Sequence, residues 1–445
     1  MAIRWMLMGL LSLGIIGFPA LAADINNVAD NMRPVDKLVM ADGTGPSGMD
    51  RSEIAQKSPA AEQPGAPRVF LLEGKHLQAI RKRIHEGDKS FAPALAALES
   101  EAQAALKAGP YSVVSKSVTP PSEDKHDYMS RAPYYWPDPA KPDGLPYISR
   151  DGERNPEIKN ITDYDNMWKM AWDVETLSLA YYLTGNENYA RKAAELIRTW
   201  FLDPATRMNP NLQYAQGIPG ISTGRNPGII ESLAFPLVVD LVGLLAGSQS
   251  WTESDERGLK EWFVKYLTWL QDSELGRSES KSRNNHGTYY DVQVVTYALF
   301  LGNKDLAATM LREAKTKRIG RQIEPDGKQP LELGRTIALH YSIYNLRALF
   351  MLAKLAENVD VDLWNYRTDD GRSISKAIDY MIPFVVGEQE WPYKQISEYP
   401  MQKAYTVLRR APIKYPDPRY RDMTSKFPKL DAEHRDNLLI PKTSD

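Results

Sequence analysis

A chain of 445 residues without a cysteine cannot form a disulfide, a thiolate metal site or a cysteine nucleophile. It must rely on a large apolar core, which this length can supply. A net charge of −2 excludes the broad basic field that nucleic-acid binding needs, so no nucleic-acid partner is expected.

The chain opens with the pattern of an export signal over residues 1–23. Arg4 gives the positive start, an apolar run follows over 5–18, and Ala20-Leu21-Ala22 fits the small-x-small cleavage rule. A mature protein in the periplasm or secreted medium is expected, with no stable membrane insertion after cleavage. No later stretch reads as long and apolar enough to span a bilayer. Residues 24–68 are rich in Ala, Gly, Pro, Ser and charge and lack sustained periodicity, which predicts a mobile leader. Residues 69–445 read as one domain.

In that domain the apolar spacing is helical. A first pair is predicted over 75–85 and 91–108. The pattern over 165–184 stops at Gly185, and that over 187–201 ends at Asp203-Pro204. Residues 229–246 are apolar on nearly every side, the mark of a buried helix. The stretch 253–271 is amphipathic, with Trp262, Phe263, Tyr266, Leu267 and Leu270 on one side. Helices over 290–301, 304–317 and 333–356 complete the series, and the proline-rich stretch after Arg410 reads as an irregular wrap. Short turns between successive helices make antiparallel pairs. The expected fold is all-α, an (α/α) toroid: an incomplete barrel of helix hairpins whose loops form a cleft. A helical solenoid is the alternative, but no fixed-period signature is present.

Three long polar-aromatic loops interrupt the helices: 134–156, 208–228 and 318–331. Loops of this length in a compact domain are functional or disordered, and their Trp and Pro content favours order. The first holds Tyr135, Trp136 and Arg150, and the second Gln213, Gln216, Arg225 and Asn226.

The densest chemistry lies in Asn284-Asn285-His286-Gly287-Thr288-Tyr289-Tyr290-Asp291, and in a second cluster of Glu332, Arg335, His340, Tyr341 and Tyr344. These types suit proton removal from a sugar acid. The C5 proton of a uronate is barely acidic, so the adjacent carboxylate must first be neutralised, as Asn285, His286 and Arg335 are equipped to do. A base at C5 and an acid at the leaving O4 complete a β-elimination, and Tyr341 or His286 is the candidate for either role. An arginine beside a phenol favours the phenolate, so Arg335 is expected to lower the Tyr341 pKa. His340 is a rival titratable group. Each residue also has a plainer reading: Asn284 as a helix cap, His286 as a packed side chain, Tyr341 and Tyr344 as core. Scattered carboxylates, among them Asp163, Asp165, Glu231, Glu324, Asp326 and Glu332, offer a hydrolase pair that spacing alone cannot assign.

No two histidines stand three or four residues apart and there is no HExxH, so no metal site is expected. Nucleotide-binding and serine-hydrolase motifs are absent from the sequence. Lys281, Arg283, Arg225 and Arg150 flank the motifs and would draw in a polyanion. Tyr135, Trp136 and Tyr289 are placed to stack on sugars or, equally, to pin the loops.

The Asn284–Asp291 run, followed by Glu332-Leu333-Gly334-Arg335-Thr336 and His340-Tyr341, resembles the alginate lyase superfamily of polysaccharide lyases over residues from about 70 to 410. Tyr135-Trp136-Pro137-Asp138-Pro139 and Arg150-Asp151-Gly152-Glu153 look like the branch acting on alginate or glucuronan. The resemblance implies an α/α toroid lyase without a cofactor, acting on an anionic uronan polysaccharide or oligosaccharide. It implies catalytic roles for Asn285, His286, Arg335 and Tyr341. Substrate contacts are expected from Tyr135, Trp136, Arg150, Arg225, Arg283, Tyr289, His340 and Tyr344. Gly287-Thr288 stands where some relatives carry bulkier or aromatic groups, a departure that leaves subsite shape and the preferred uronate open. The readings from other classes are a glycoside hydrolase on the same toroid, using carboxylates such as Asp165 and Glu324, and a non-catalytic glycan-binding protein.

Overall fold

A computed structural model describes residues 66–441. The expected export signal lies outside the described residues, as does the expected leader up to residue 65. The last leader residues are described, and Arg68 pairs with Glu256 at 2.5 Å.

The helices are α1 (Gly74–His85), α2 (Ala92–Ala105), α3 (Asp163–Thr184), α4 (Glu187–Phe201), α5 (Ala234–Leu244), α6 (Glu253–Asp272), α7 (Glu274–Ser280), α8 (Asn285–Phe300), α9 (Lys304–Ala314), α10 (Ala338–Ala356) and α11 (Ile374–Val385). They form two layers of the expected α/α toroid. Every residue of α5 and α8 is buried, which requires helices enclosed on all sides. The outer helices α4, α6 and α9 bury one stripe each, such as Ala307, Leu311 and Ala314 of α9. Inner α3 packs on α4 and α5, and inner α8 on α5, α9 and α10. Local signals set the ends. Gly185 takes the left-handed conformation that closes α3, and Thr252 with Asp255 forms a capping box at the start of α6.

Four expectations need correction. The apolar stretch 229–246 is not one helix: 3₁₀ turns over Asn226–Leu233 precede α5, with a break at Ser232. Together Asn226–Leu244 does have the length and composition to cross a membrane, contrary to the sequence reading, yet it is 94 % buried and belongs to the core. The helix expected from 290 starts at Asn285, so the amide-histidine motif forms its first turn. The helix expected from 333 is broken: a short turn, Pro330–Leu333, precedes α10, and the Gly334–Ile337 segment between them is not helical. Tertiary partners cause this break, because the Thr336 amide donates to Asp151 and the Ala338 amide to the Lys394 carbonyl.

The stretch after Arg410 does wrap the toroid, but as short helices (Ala411–Lys414, Pro418–Ser425 and Asp436–Leu439) that bury Tyr415, Tyr420, Phe427 and Leu438. The loops carry two small sheets. β1 (Met129–Arg131) lies parallel to β4 (Tyr214–Gly217), joining the stretch just before the first long loop to the second. β2 (Tyr135–Trp136) and β3 (Ile148–Ser149) form an antiparallel hairpin with Tyr135 opposite Ser149. A fully buried ion pair, Lys116–Asp163 at 2.9 Å, anchors these loops where α3 starts, and Asp163 also accepts from the Met129 amide.

The chain enters the fold over one buried carboxylate. Asp240 of α5 accepts from the amides of Phe70, Leu71 and Leu72 at 2.6, 2.8 and 2.7 Å. Burial pushes its pKa up to about 6, against the pull of those three donors. Asp240→Ala strands the amides, and urea denaturation should show a loss of about 3 kcal/mol. A loss below about 1 kcal/mol would show that water replaces the carboxylate.

Candidate active site

The first motif is organised by two buried carboxylates. Asn284 caps α8, its side-chain oxygen accepting from the His286 amide at 3.2 Å. Asn285 donates its backbone N–H and its Nδ2 to the two oxygens of Glu332, at 2.7 and 2.8 Å. The His286 Nδ1 lies 2.6 Å from Glu279 Oε1, both side chains being almost wholly buried. A carboxylate accepts only, so Nδ1 carries the proton that Glu279 receives, which leaves Nε2 as the ring nitrogen outside that contact. That Nε2 and the Asn285 Oδ1 are buried, and neither makes a hydrogen bond among the described residues. Glu279 also accepts from Asn226 of the second loop at 2.9 Å, tying that loop to the motif.

Gly287 does not shape a subsite. A Cβ there would meet the Ser282 carbonyl oxygen at 2.0 Å and Arg318 Nη1 at 2.2 Å. Arg318 is buried and forks onto Asp291 at 2.7 and 2.9 Å, so its guanidinium occupies the space a side chain would need. Thr288 likewise faces the interior, 2.9 Å from both Gln322 Oε1 and Asn345 Oδ1.

The second motif begins in the break before α10. Arg335 bonds Asp151 through Nη2 at 3.0 Å and Nε at 3.4 Å. Its guanidinium carbon lies 3.6 Å from the centre of the Tyr341 ring, a cation–π contact. The Tyr341 hydroxyl is 3.3 Å from that of Tyr134, which comes from the first loop. Glu332 joins the motifs: it holds Asn285, and the Arg335 charge reaches it.

The expectation that Arg335 would lower the Tyr341 pKa describes one influence of several. Burial raises this phenol well above its ordinary 10, the nearby Tyr134 adds to the rise, and Arg335 only pulls it back in part. Tyr341 is therefore protonated at neutral pH. Burial also raises Tyr134, opposed by its bond to Tyr341. His340, edge-on to Tyr341 and stacked on Tyr344 at 5.7 Å, is driven down to about 3 by burial, aided by the charges of Lys403 and Arg335. It is neutral.

The residues expected to meet substrate fall into three groups. Tyr135 and Trp136 each lie under an arginine of the same loops, Arg225 at 5.1 Å and Arg150 at 5.3 Å, while Trp136 Nε1 donates to the Glu153 carbonyl at 2.9 Å. Trp136 is thus pinned, as its plainer reading held. Arg225 is anchored on Gln216 at 2.7 Å. Arg283 and Lys281 are exposed on the link between α7 and α8. Tyr344 packs beside Tyr341 and His340, but Tyr289 belongs to the core: fully buried, it donates to the Tyr344 carbonyl at 3.0 Å. Asp165 and Glu324, offered as a hydrolase pair, sit in the first turn of α3 and in a tight turn closed onto Lys328, respectively. Three partners carried no role in the sequence reading: Glu279, Asp151 and Tyr134. Only Asp151 had a local signal, the turn-forming Asp-Gly pair.

The neutral His340 gives a pH signature. An unfolded chain protonates this imidazole below about 6.5, whereas the fold resists until about 3. Its contribution is intact above the unfolded value and is lost as pH falls through that window. Burial pushes Glu231 up to about 7 and Asp240 up to about 6, and both act in the opposite sense, so the difference between two proteins is the quantity to measure. From pH 7 to pH 5 the wild type should lose roughly 2 kcal/mol more than His340→Gln by urea denaturation. Equal changes in the two proteins would exclude a neutral buried His340.

The alginate lyase family model matches residues 112–391. Among solved structures, an alginate lyase from Bacteroides ovatus is 42 % identical, with a TM-score of 0.80 over 84 % of this chain and 99 % of that one. A variant of alginate lyase A1-III complexed with tetrasaccharide is 18 % identical, with a TM-score of 0.55 over 82 % of this chain and 94 % of that one, a likeness of fold. No curated protein matches the sequence. On the family model, and on the identity shared along most of the Bacteroides ovatus enzyme, this chain belongs to the alginate lyase family of polysaccharide lyases.

Proposed function

We propose that this lyase cleaves 1,4-linked uronans of the alginate type, mannuronate-rich above all, by β-elimination, leaving a 4,5-unsaturated uronate end. Glucuronan is a second substrate on this reading, because mannuronate and glucuronate differ at C2, away from the bond that breaks. The observation that carries the proposal is the Arg335 guanidinium 3.6 Å above the Tyr341 ring, linked through Glu332 to Asn285. A fixed cation thus stacks on one protonated phenol, and Glu332 links it to the turn of α8 that carries the amide and the imidazole.

Arg335 and Asn285 take the substrate carboxylate and stabilise the charge that builds on it as H5 leaves, joined by His286 where its Nε2 carries a proton. Tyr341 delivers a proton to the departing O4, the role its raised pKa suits. In mannuronate and glucuronate, H5 and O4 share one side of the ring. Tyr341 then serves both steps of one concerted syn elimination, its phenol proton passing to O4 as its oxygen takes H5, so that it ends protonated again. In guluronate H5 points the other way, and His286 Nε2, with Nδ1 held by Glu279, is the base. Arg150, Arg225, Arg283 and Lys281 supply the positive rim that draws in the polyanion. Read as an export signal, residues 1–23 place this activity in the periplasm or outside the cell.

Tyr341→Phe should lower kcat by roughly 10²–10⁴-fold on poly-mannuronate, followed by the ultraviolet absorbance of the new C4–C5 double bond. His286→Ala should hit poly-guluronate harder than poly-mannuronate. A folded wild type that releases reducing ends from uronans without this absorbance would make the protein a hydrolase and end the proposal.

A further inference from the structure

We infer that Asp151 is a positioning residue for catalysis, acting through Arg335; this rests on the reading of Arg335 as the group that receives the substrate carboxylate. Asp151 lies in the turn after β3, on the hairpin loop that forms one wall of the site. Its carboxylate takes three donors of the segment before α10: Arg335 Nη2 at 3.0 Å, Arg335 Nε at 3.4 Å and the Thr336 amide at 3.1 Å. Its own carbonyl accepts from Thr336 Oγ1 at 2.9 Å. The next residue, Gly152, has φ of +81°, and a Cβ there would lie 2.5 Å from Thr336 Oγ1 and 3.0 Å from Ile396 Cδ1. The turn is therefore fitted against this segment with no room for a larger residue.

The geometry divides the guanidinium. Asp151 occupies the edge formed by Nε and Nη2, which leaves Nη1 outside that pairing. Arg335 is held flat on Tyr341 with its Nη1 side left for a substrate carboxylate, which pairs best with two parallel N–H groups. The hairpin also carries Tyr134, whose hydroxyl meets that of Tyr341 at 3.3 Å, and the Arg150 amide bonds the Tyr134 carbonyl at 2.8 Å, bracing the two contacts together. One loop thus orients both the cation and the phenol. Without the Asp151 carboxylate the guanidinium is free to swing from the ring, which slows the chemical step more than it weakens substrate binding.

The test is a double-mutant cycle on poly-mannuronate. Asp151→Asn keeps the side-chain size and an acceptor for Thr336 but loses the charge; Asp151→Ser keeps the backbone contact alone and serves if the first variant folds poorly. Either should lower kcat by roughly 10–100-fold, with KM within about threefold and the thermal midpoint little changed. In an Arg335→Lys background the same Asp151 change should cost less than about threefold, because the group it positions is gone. A lower KM with undiminished kcat would mean that Asp151 competes with substrate, and losses that multiply in the double variant would mean that it acts independently of Arg335; either overturns the inference. The wild-type control separates the two readings: no unsaturated product from it would end the lyase proposal and the role of Asp151 with it.

Discussion

The geometry of the site depends on the carboxylate of Glu332. It is almost wholly buried, and burial raises its pKa, so its place in the interior has to be offset by strong partners. Two N–H groups of Asn285 supply them. Those bonds fasten the first turn of α8 to the turn that precedes Arg335, and so bring together two motifs far apart in the chain. Without this contact the amide and the imidazole at the start of α8 would lose their tie to the segment that carries the guanidinium.

The same device recurs. Glu279 holds the imidazole of His286, and Asp151 holds the guanidinium of Arg335. The imidazole and the guanidinium of the two motifs are thus each oriented by a carboxylate of the protein. The arrangement lowers the local positive charge but fixes donor directions before the substrate arrives, and preorganised donors stabilise developing charge better than mobile ones. Lys281 and Arg283, on the link before α8, are exposed, which leaves their fields open to solvent.

The toroid and the loops divide the work. Inner helices buried on every side give α8 and α10 a rigid mounting. The hairpin of β2 and β3 brings in Tyr134 and Asp151, and the second loop brings Asn226 to Glu279. Neither the helices nor the loops alone assemble the site, because the helices carry Glu279, His286 and Tyr341 while the loops carry Tyr134, Asp151 and Asn226.

Periodicity made the helical layers legible, because burial on one stripe or on all faces leaves a pattern in the order of residues. The motif residues Asn285, His286, Arg335 and Tyr341 stood out for the same local reason, an unusual density of polar chemistry beside apolar helices. The break at 334–337 did not, since it arises from amides of Thr336 and Ala338 being claimed by Asp151 and the Lys394 carbonyl. Nor did the inward turn of Gly287 toward Arg318, the burial of Tyr289, or the protonated state of Tyr341, each set by neighbours remote in sequence. By itself the order of residues determined which segments become helices and which side chains carry chemistry. Only the tertiary structure decided which carboxylate stands behind each donor and how much water each ionisable group loses, because hydrogen bonding and desolvation are properties of residues brought together in space.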